Sequence, residues 1–179
     1  MIGMPILISL RSVNPWWVGL AWSGVAAVGC GVIPYAVILH GVRRGALGDR
    51  HIYRREQRAV PLLVAAVSVV VTWGVLVAGA APRPVVAVVA AAATGLAWVS
   101  ALTCVARFKV SVHAGVAACA AVAIFWLDFG FLVDAAVLTL AALVGWSRHY
   151  TRSHTLPEVI AGILLGLLAS GGVFVVVAG

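Results

Sequence analysis

Two short polar segments in an otherwise apolar chain carry the residue types that could move protons and bind an oxyanion. The later one is Ser147-Arg148, followed by His154 and Glu158. Residues four apart on a helix share a face, so the Glu158 carboxylate can accept a hydrogen bond from one imidazole nitrogen of His154 and leave the other as a nucleophile or base. A helix start beside His154 favours an anion there, and Arg148 on the incoming connection can fold back to bind it with a planar fork of donors. Pro157 is tolerated in the first turn, where backbone N–H groups have no intrahelical partner. The earlier segment is Lys109-Val110-Ser111-Val112-His113. One cation, one hydroxyl and one histidine at a helix start suit phosphate binding and proton delivery to a leaving oxygen. Each segment also fits a plainer reading. The first could be a capped helix start with a hydrogen-bonded histidine, the second an interfacial loop whose lysine anchors to lipid headgroups.

The elements that must position these residues are membrane spans. Of 179 residues, 64% are hydrophobic and 9% charged, and the mean hydropathy is +1.14; a soluble globule would carry about 25% charged residues. A hydrocarbon core of about 30 Å needs about 20 helical residues per crossing. Six apolar stretches approach that length: 16–39, 59–80, 85–106, 110–127, 129–146 and 156–178. Only Asp128 to Asp134 marks the turn between the fourth and fifth, and both of those are short. Barrel-like alternation is absent, and in lipid every backbone polar group needs an internal partner. The predicted fold is therefore all-α: one polytopic membrane domain of six transmembrane helices. Met1 to Asn14 would lie along the interface with Trp16 and Trp17 at headgroup level. With no basic n-region and no Ala-x-Ala site, no removable signal peptide is expected. Cys30, Cys104 and Cys119 fall inside spans without metal-ligand spacing and read as small apolar packers.

Crossing parity decides which polar residues share a membrane face. A basic connection after the first span carries Arg43, Arg44, Asp49, Arg50, His51, Arg54, Arg55, Glu56 and Arg58. Two crossings later come Arg107, Lys109, Ser111 and His113, and two more deliver Ser147, Arg148, His149, Arg152, His154 and Glu158. Even counts put all three segments on one face. The other face keeps Arg11, Arg83, Asp128 and Asp134. Arginines of the connection can simply hold it against anionic lipid, although Arg58 directly precedes a span and could point into the bundle mouth. Pro34 predicts a kink in the first span. Gly162, Gly166 and Ser170 form a small-residue stripe that lets another helix approach closely, within the monomer or in a dimer.

In this order and on one face, the three segments resemble the signatures of the type 2 phosphatidic acid phosphatase family, integral-membrane lipid phosphatases related to vanadium haloperoxidases. The family's third signature is Ser-Arg, five residues, His, three residues, Asp. Ser147-Arg148, His154 and Glu158 match its spacing in full, with Glu for Asp. The second, Ser-Gly-His, is similar to Ser111-Val112-His113, where Val replaces Gly. The first, Lys, six residues, Arg-Pro, is matched at the arginine by Arg58; His51 stands at the lysine spacing and Ala59 replaces the proline. The resemblance implies a metal-independent phosphatase without a cofactor. His154 would be the nucleophile, His113 the general acid and base, and Glu158 the group orienting His154. Arg58, Lys109, Ser111 and Arg148 would hold the phosphoryl oxygens, with Arg50, His51 or Arg54 as candidates for the missing lysine's place. The implied partner is a phosphorylated lipid within the bilayer, either a polyprenyl phosphate or diphosphate or phosphatidic acid.

Other classes fit less well. A metal-dependent prenyltransferase or alcohol phosphotransferase needs clustered aspartates for Mg²⁺, and the reactive face offers only Asp49, Glu56 and Glu158. A haem protein using His113 and His154 as axial ligands leaves Arg148 and Lys109 unexplained. A lipid-binding relative without catalysis keeps every signature as a binding site. Nothing points to nucleic acid, and the oligomeric state is open. Ten of the twelve Lys and Arg residues lie on the signature face. The positive-inside rule then directs the site to the cytoplasmic side of what the sequence suggests is a bacterial plasma membrane.

Overall fold

The computed structural model describes residues 15–44 and 59–179, with the side chains of 59–62 and of Cys104 excepted. Met1 to Asn14, Arg50, His51, Arg54 and Arg58 lie outside the described residues. Within the described residues the secondary structure is helical throughout: α1 (Trp16–Arg43), α2 (Ala59–Ala78), α3 (Arg83–Cys104), α4 (Val112–Trp126), α5 (Phe131–Tyr150) and α6 (Leu156–Ala178). Four of them, α1, α3, α5 and α6, are long and apolar enough to cross a membrane, as an integral membrane protein requires.

The chain divides into two compact units, Met1–Val85 and Val86–Gly179. In the first, α1 and α2 meet closely at Gly29, where an added Cβ would collide with Thr72. Ser68 donates its hydroxyl to the Gly29 carbonyl, and Thr72 donates to the Ser68 carbonyl at 2.7 Å. Ahead of Pro34, where the sequence predicts a kink, the helix changes form. The chain meets the proline through a π-helical stretch, Val28–Val32, in which the Ile33 N–H reaches back to the Val28 carbonyl. One extra residue in the turn accommodates the missing N–H donor of the ring.

The second unit is built on α4 and α6. Cβ atoms placed on Gly162 or Gly166 would run into the backbone of Ser111 and Gly115, so the two helices touch main chain to main chain. Ser170, the third member of the stripe, faces Gly95 of α3. The stripe is thus used inside the unit. Trp126 and Phe174 close the far end of this contact edge to face, with ring centroids 5.7 Å apart, and Gly145 brings α5 against Val159 and Ile163.

The boundaries around the polar segments shift from the predicted ones for physical reasons. The fourth helix starts at Val112 because residues 107–111 are non-helical: Ser111 is the N-cap in an extended conformation, held by its N–H on the Glu158 carbonyl and not by a side-chain cap. Its 15 residues span about 22 Å at about 1.5 Å per residue, less than a full hydrocarbon core. The fifth helix begins after Gly130, whose φ of +94° makes the turn, and runs four residues beyond Trp146 to Tyr150. Ser147, Arg148 and His149 are therefore helical and not part of a connection; Arg148 and His149 occupy a last turn whose exposed carbonyls attract cations.

Candidate functional site

The short reversal between α5 and α6 is set by its backbone. The Thr151 N–H donates to the Ser147 carbonyl at 3.0 Å, Arg152 to His149 at 2.9 Å and His154 to Arg148 at 3.1 Å. Arg152 completes the reversal in the left-handed region, with φ +53°. The chain then enters α6 through a capping box. Thr155 is the N-cap, and Glu158, three residues on, returns its Oε2 to the Thr155 N–H at 3.0 Å.

The same carboxylate oxygen lies 3.0 Å from His154 Nδ1. Sequence reasoning expected this pair, but on a different basis. His154 precedes the helix, so the two residues do not share a helical face. They meet because the capping box folds Glu158 back over the entry of α6, and a glutamate reaches that N–H where a shorter aspartate would stretch. With Nδ1 engaged, Nε2 is the nitrogen left for chemistry.

The earlier segment is tied to this turn at two points. Lys109 Nζ donates to the Ser153 carbonyl at 2.6 Å, and the Ser111 N–H donates to the Glu158 carbonyl at 3.1 Å. Residues 109–111 thus run alongside residues 153–158, and α4 with α5 forms an antiparallel excursion that leaves this end of the unit and returns to it. For these two segments the structure shows the convergence that crossing parity demanded. The third segment, around Arg58, lies outside the described residues.

Lys109, His154 and Glu158 line an open cleft of about 300 Å³. Its remaining wall is His149, Arg152, Ser153 and Thr155. Three expected site residues are not part of that lining. Arg148, half-buried in the last turn of α5, contributes its carbonyl to the His154 N–H. Ser111 is fully buried, and its hydroxyl has no hydrogen-bond partner among the described residues. His113 is exposed, on the first turn of α4. Conversely, His149 and Arg152 were not singled out by motif spacing. The signal that could have found them is the shortness of the reversal, which forces its polar residues around His154. The Thr155-x-x-Glu158 pattern, the sequence mark of a capping box, was legible too.

Burial pulls the His154 pKa below its usual range. The hydrogen bond to Glu158 works the other way, while the positive charges of Lys109 and Arg148 add to the depression. The imidazole is accordingly neutral near pH 7, and its contact with Glu158 is a hydrogen bond from Nδ1–H to a carboxylate. A neutral ring with a fixed tautomer and a free Nε2 lone pair can attack an electrophile or accept a proton. No group of three or more His, Cys, Asp or Glu residues that could hold a metal ion occurs among the described residues.

No protein-family model, no curated protein and no solved structure matches this chain.

Proposed function

We propose that this chain is an integral-membrane, metal-independent lipid phosphate phosphatase that works through a phosphohistidine. The observation that carries the reading is His154, held through Nδ1 by Glu158 at 3.0 Å in a cleft shared with Lys109. Its support in the sequence is the resemblance of three ordered segments to type 2 phosphatidic acid phosphatases.

In this reading the six helices are six crossings. The Nε2 lone pair of His154 forms a bond to phosphorus as the ester P–O bond breaks, and His113 gives the departing lipid oxygen a proton. His113 then takes a proton from water, whose oxygen attacks phosphorus and breaks the P–N bond, releasing inorganic phosphate and restoring His154. Lys109 stabilises the charge on the phosphoryl oxygens from the cleft wall, and the resemblance assigns the same role to Ser111, Arg148 and Arg58, which stand outside that lining. Arg50, His51 or Arg54 takes the place of the lysine that the first signature lacks.

The surroundings favour a lipid substrate. Trp146 and Tyr150 stack with centroids 5.0 Å apart on the last turns of α5, and both are exposed beside Arg148. Amphipathic rings of this kind sit at headgroup level, which supports a cleft at the depth of lipid phosphates. A volume of about 300 Å³ is at the small end for ligand pockets, about 300–1,000 Å³; it suits a headgroup whose chain stays in the bilayer. Polyprenyl phosphates, their diphosphates and phosphatidic acid meet this description.

A second reading has one observation in its favour. The capping box by itself accounts for Glu158, so the site could bind phospholipid without turning it over. Phosphate release by purified protein across a panel of phosphorylated lipids decides between them. Wild type should release phosphate in EDTA, and His154→Ala should lose it without a change in thermal unfolding. Undiminished release by His154→Ala would overturn the mechanism, and lipid binding without release by wild type would establish the second reading.

A further inference from the structure

The cleft holds more cationic and donor groups than a single phosphoryl group engages. Lys109, beside His154, is anchored through one of its three N–H donors to the Ser153 carbonyl and keeps two for an anion. Arg152 and His149 line the same cleft, and neither the guanidinium nor the imidazole makes a hydrogen bond or ion pair with another described residue. Among the described residues the carboxylate lining this cleft is Glu158, already occupied by His154 and by the Thr155 N–H, so it leaves the Arg152 donors for an anion.

The backbone at Arg152 adds a second observation. Its φ of +53° is a conformation in which glycine is at ease and a branched-out side chain is not. Three other turns use a left-handed non-glycine residue, Ala80, Arg107 and Asp128, so the conformation alone carries no message. What separates Arg152 is that its turn projects a cation into the cleft containing His154, at the position of the chain reversal where glycine would be the easiest choice.

We infer that Arg152 and His149 form a second anion subsite next to the phosphoryl position at His154, so that the cleft takes two linked phosphates, as in a diphosphate ester, in preference to one. This rests on the reading of His154 as the phosphoryl acceptor. Lys109 answers the phosphoryl group that is transferred; the planar fork of Arg152 and an imidazole N–H of His149 hold the one that stays with the lipid. Arg152 is then a specificity residue that touches substrate away from the reacting bond.

The test uses inorganic pyrophosphate and orthophosphate as probes, titrated calorimetrically into purified wild type, Arg152→Gly and Arg152→Lys. Wild type should bind pyrophosphate at least ten-fold more tightly than orthophosphate. Arg152→Gly should lose most of that preference, and Arg152→Lys should keep part of it. Glycine accepts the left-handed turn without strain, so Arg152→Gly should melt no lower than wild type, and a lost preference then reports the guanidinium. Where Arg152→Gly melts lower, His149→Gln carries the same expectation. Equal affinity of wild type for the two anions, or an undiminished preference in Arg152→Gly and His149→Gln, would overturn the subsite. A turnover arm compares kcat/KM for a prenyl diphosphate and its monophosphate, whose ratio should fall at least ten-fold in Arg152→Gly. Pyrophosphate preference without phosphate release from any lipid sinks the phosphatase reading alone. Release without the preference sinks the subsite alone.

Discussion

At the scale of single residues, His154 is defined by what opposes its protonation. A free histidine titrates at about 6.5, and here burial, then Lys109 and Arg148, hold the value lower against the contrary pull of Glu158. A group whose folded pKa is depressed binds its proton more readily in the unfolded chain. The stability associated with neutral His154 is therefore complete above the unfolded value and is lost as pH falls through the folded one. Activity through a neutral nucleophile follows the same direction. The acid limb of the pH–kcat/KM profile should have its midpoint below about 6.5, and Lys109→Met should move that midpoint upward because a neighbouring positive charge is gone. An NMR titration of the His154 ring checks the shift independently of turnover; a downward or absent displacement in Lys109→Met would contradict the electrostatic account. Under the proposed mechanism Lys109→Met also loses a phosphoryl ligand, so its rate should drop across the whole pH range by about 10²-fold or more.

At the scale of elements, the site depends on how closely α6 lies against α4. The Ser111 N–H reaches the Glu158 carbonyl at 3.1 Å only because Gly162 and Gly166 let the two backbones touch. The nearest obstacle to a Cβ at Gly166 is the carbonyl of Gly115, with the Ala118 Cβ 2.9 Å away. Main chain cannot swing aside as a flexible side chain can, so Gly166→Ala must separate the helices. It should destabilise by about 1–3 kcal/mol, read as a lowered melting temperature in detergent. Gly172, one and a half turns further on, has nothing within 4 Å of an added Cβ. Gly172→Ala should be neutral or stabilise by up to about 1 kcal/mol, since alanine restricts the unfolded chain. Equal melting of the two variants would show that the close approach does not matter. Much of this architecture was legible in the sequence. Helix existence followed from hydropathy and the stripe from four-residue spacing; the His154–Glu158 contact was expected from a shared helical face, whereas the capping box at the entry of α6 is what brings the two together. Other features depend on tertiary context. Lys109 meets the Ser153 carbonyl, a backbone group that no side-chain motif advertises. The π-helical stretch before Pro34 contains Gly29, which lies against Thr72 of α2, a contact no local pattern announces. The extra helical turn of α5 places Arg148 by its carbonyl, whereas motif reading considered only its guanidinium.

At the scale of the whole molecule, the charge distribution of the second unit is polar along its helices. The end carrying the cleft has Arg107, Lys109, Arg148 and Arg152, and the opposite end has Asp128 and Asp134 with no Lys or Arg between α4 and α5. Under the positive-inside rule, lysines and arginines near span ends stay in the cytoplasm. Catalytic cations complicate such a count, because Lys109 and Arg148 would stand there for phosphate whichever side they faced. Arg107, exposed and outside the cleft lining, has no such reason, and it points the same way. The two ends also differ in a way that labelling can read. Val105, just past α3 near the cleft, is 83% exposed, and Phe131, at the start of α5, is 81% exposed. With Cys30, Cys104 and Cys119 replaced by serine, Val105→Cys should react with a membrane-impermeant maleimide only after cells are permeabilised, and Phe131→Cys should react in intact cells. The reverse pattern would place the cleft on the outer surface. The excess of cations at the cleft end would then be explained by anionic substrate, with Arg107 drawing the headgroup toward the site.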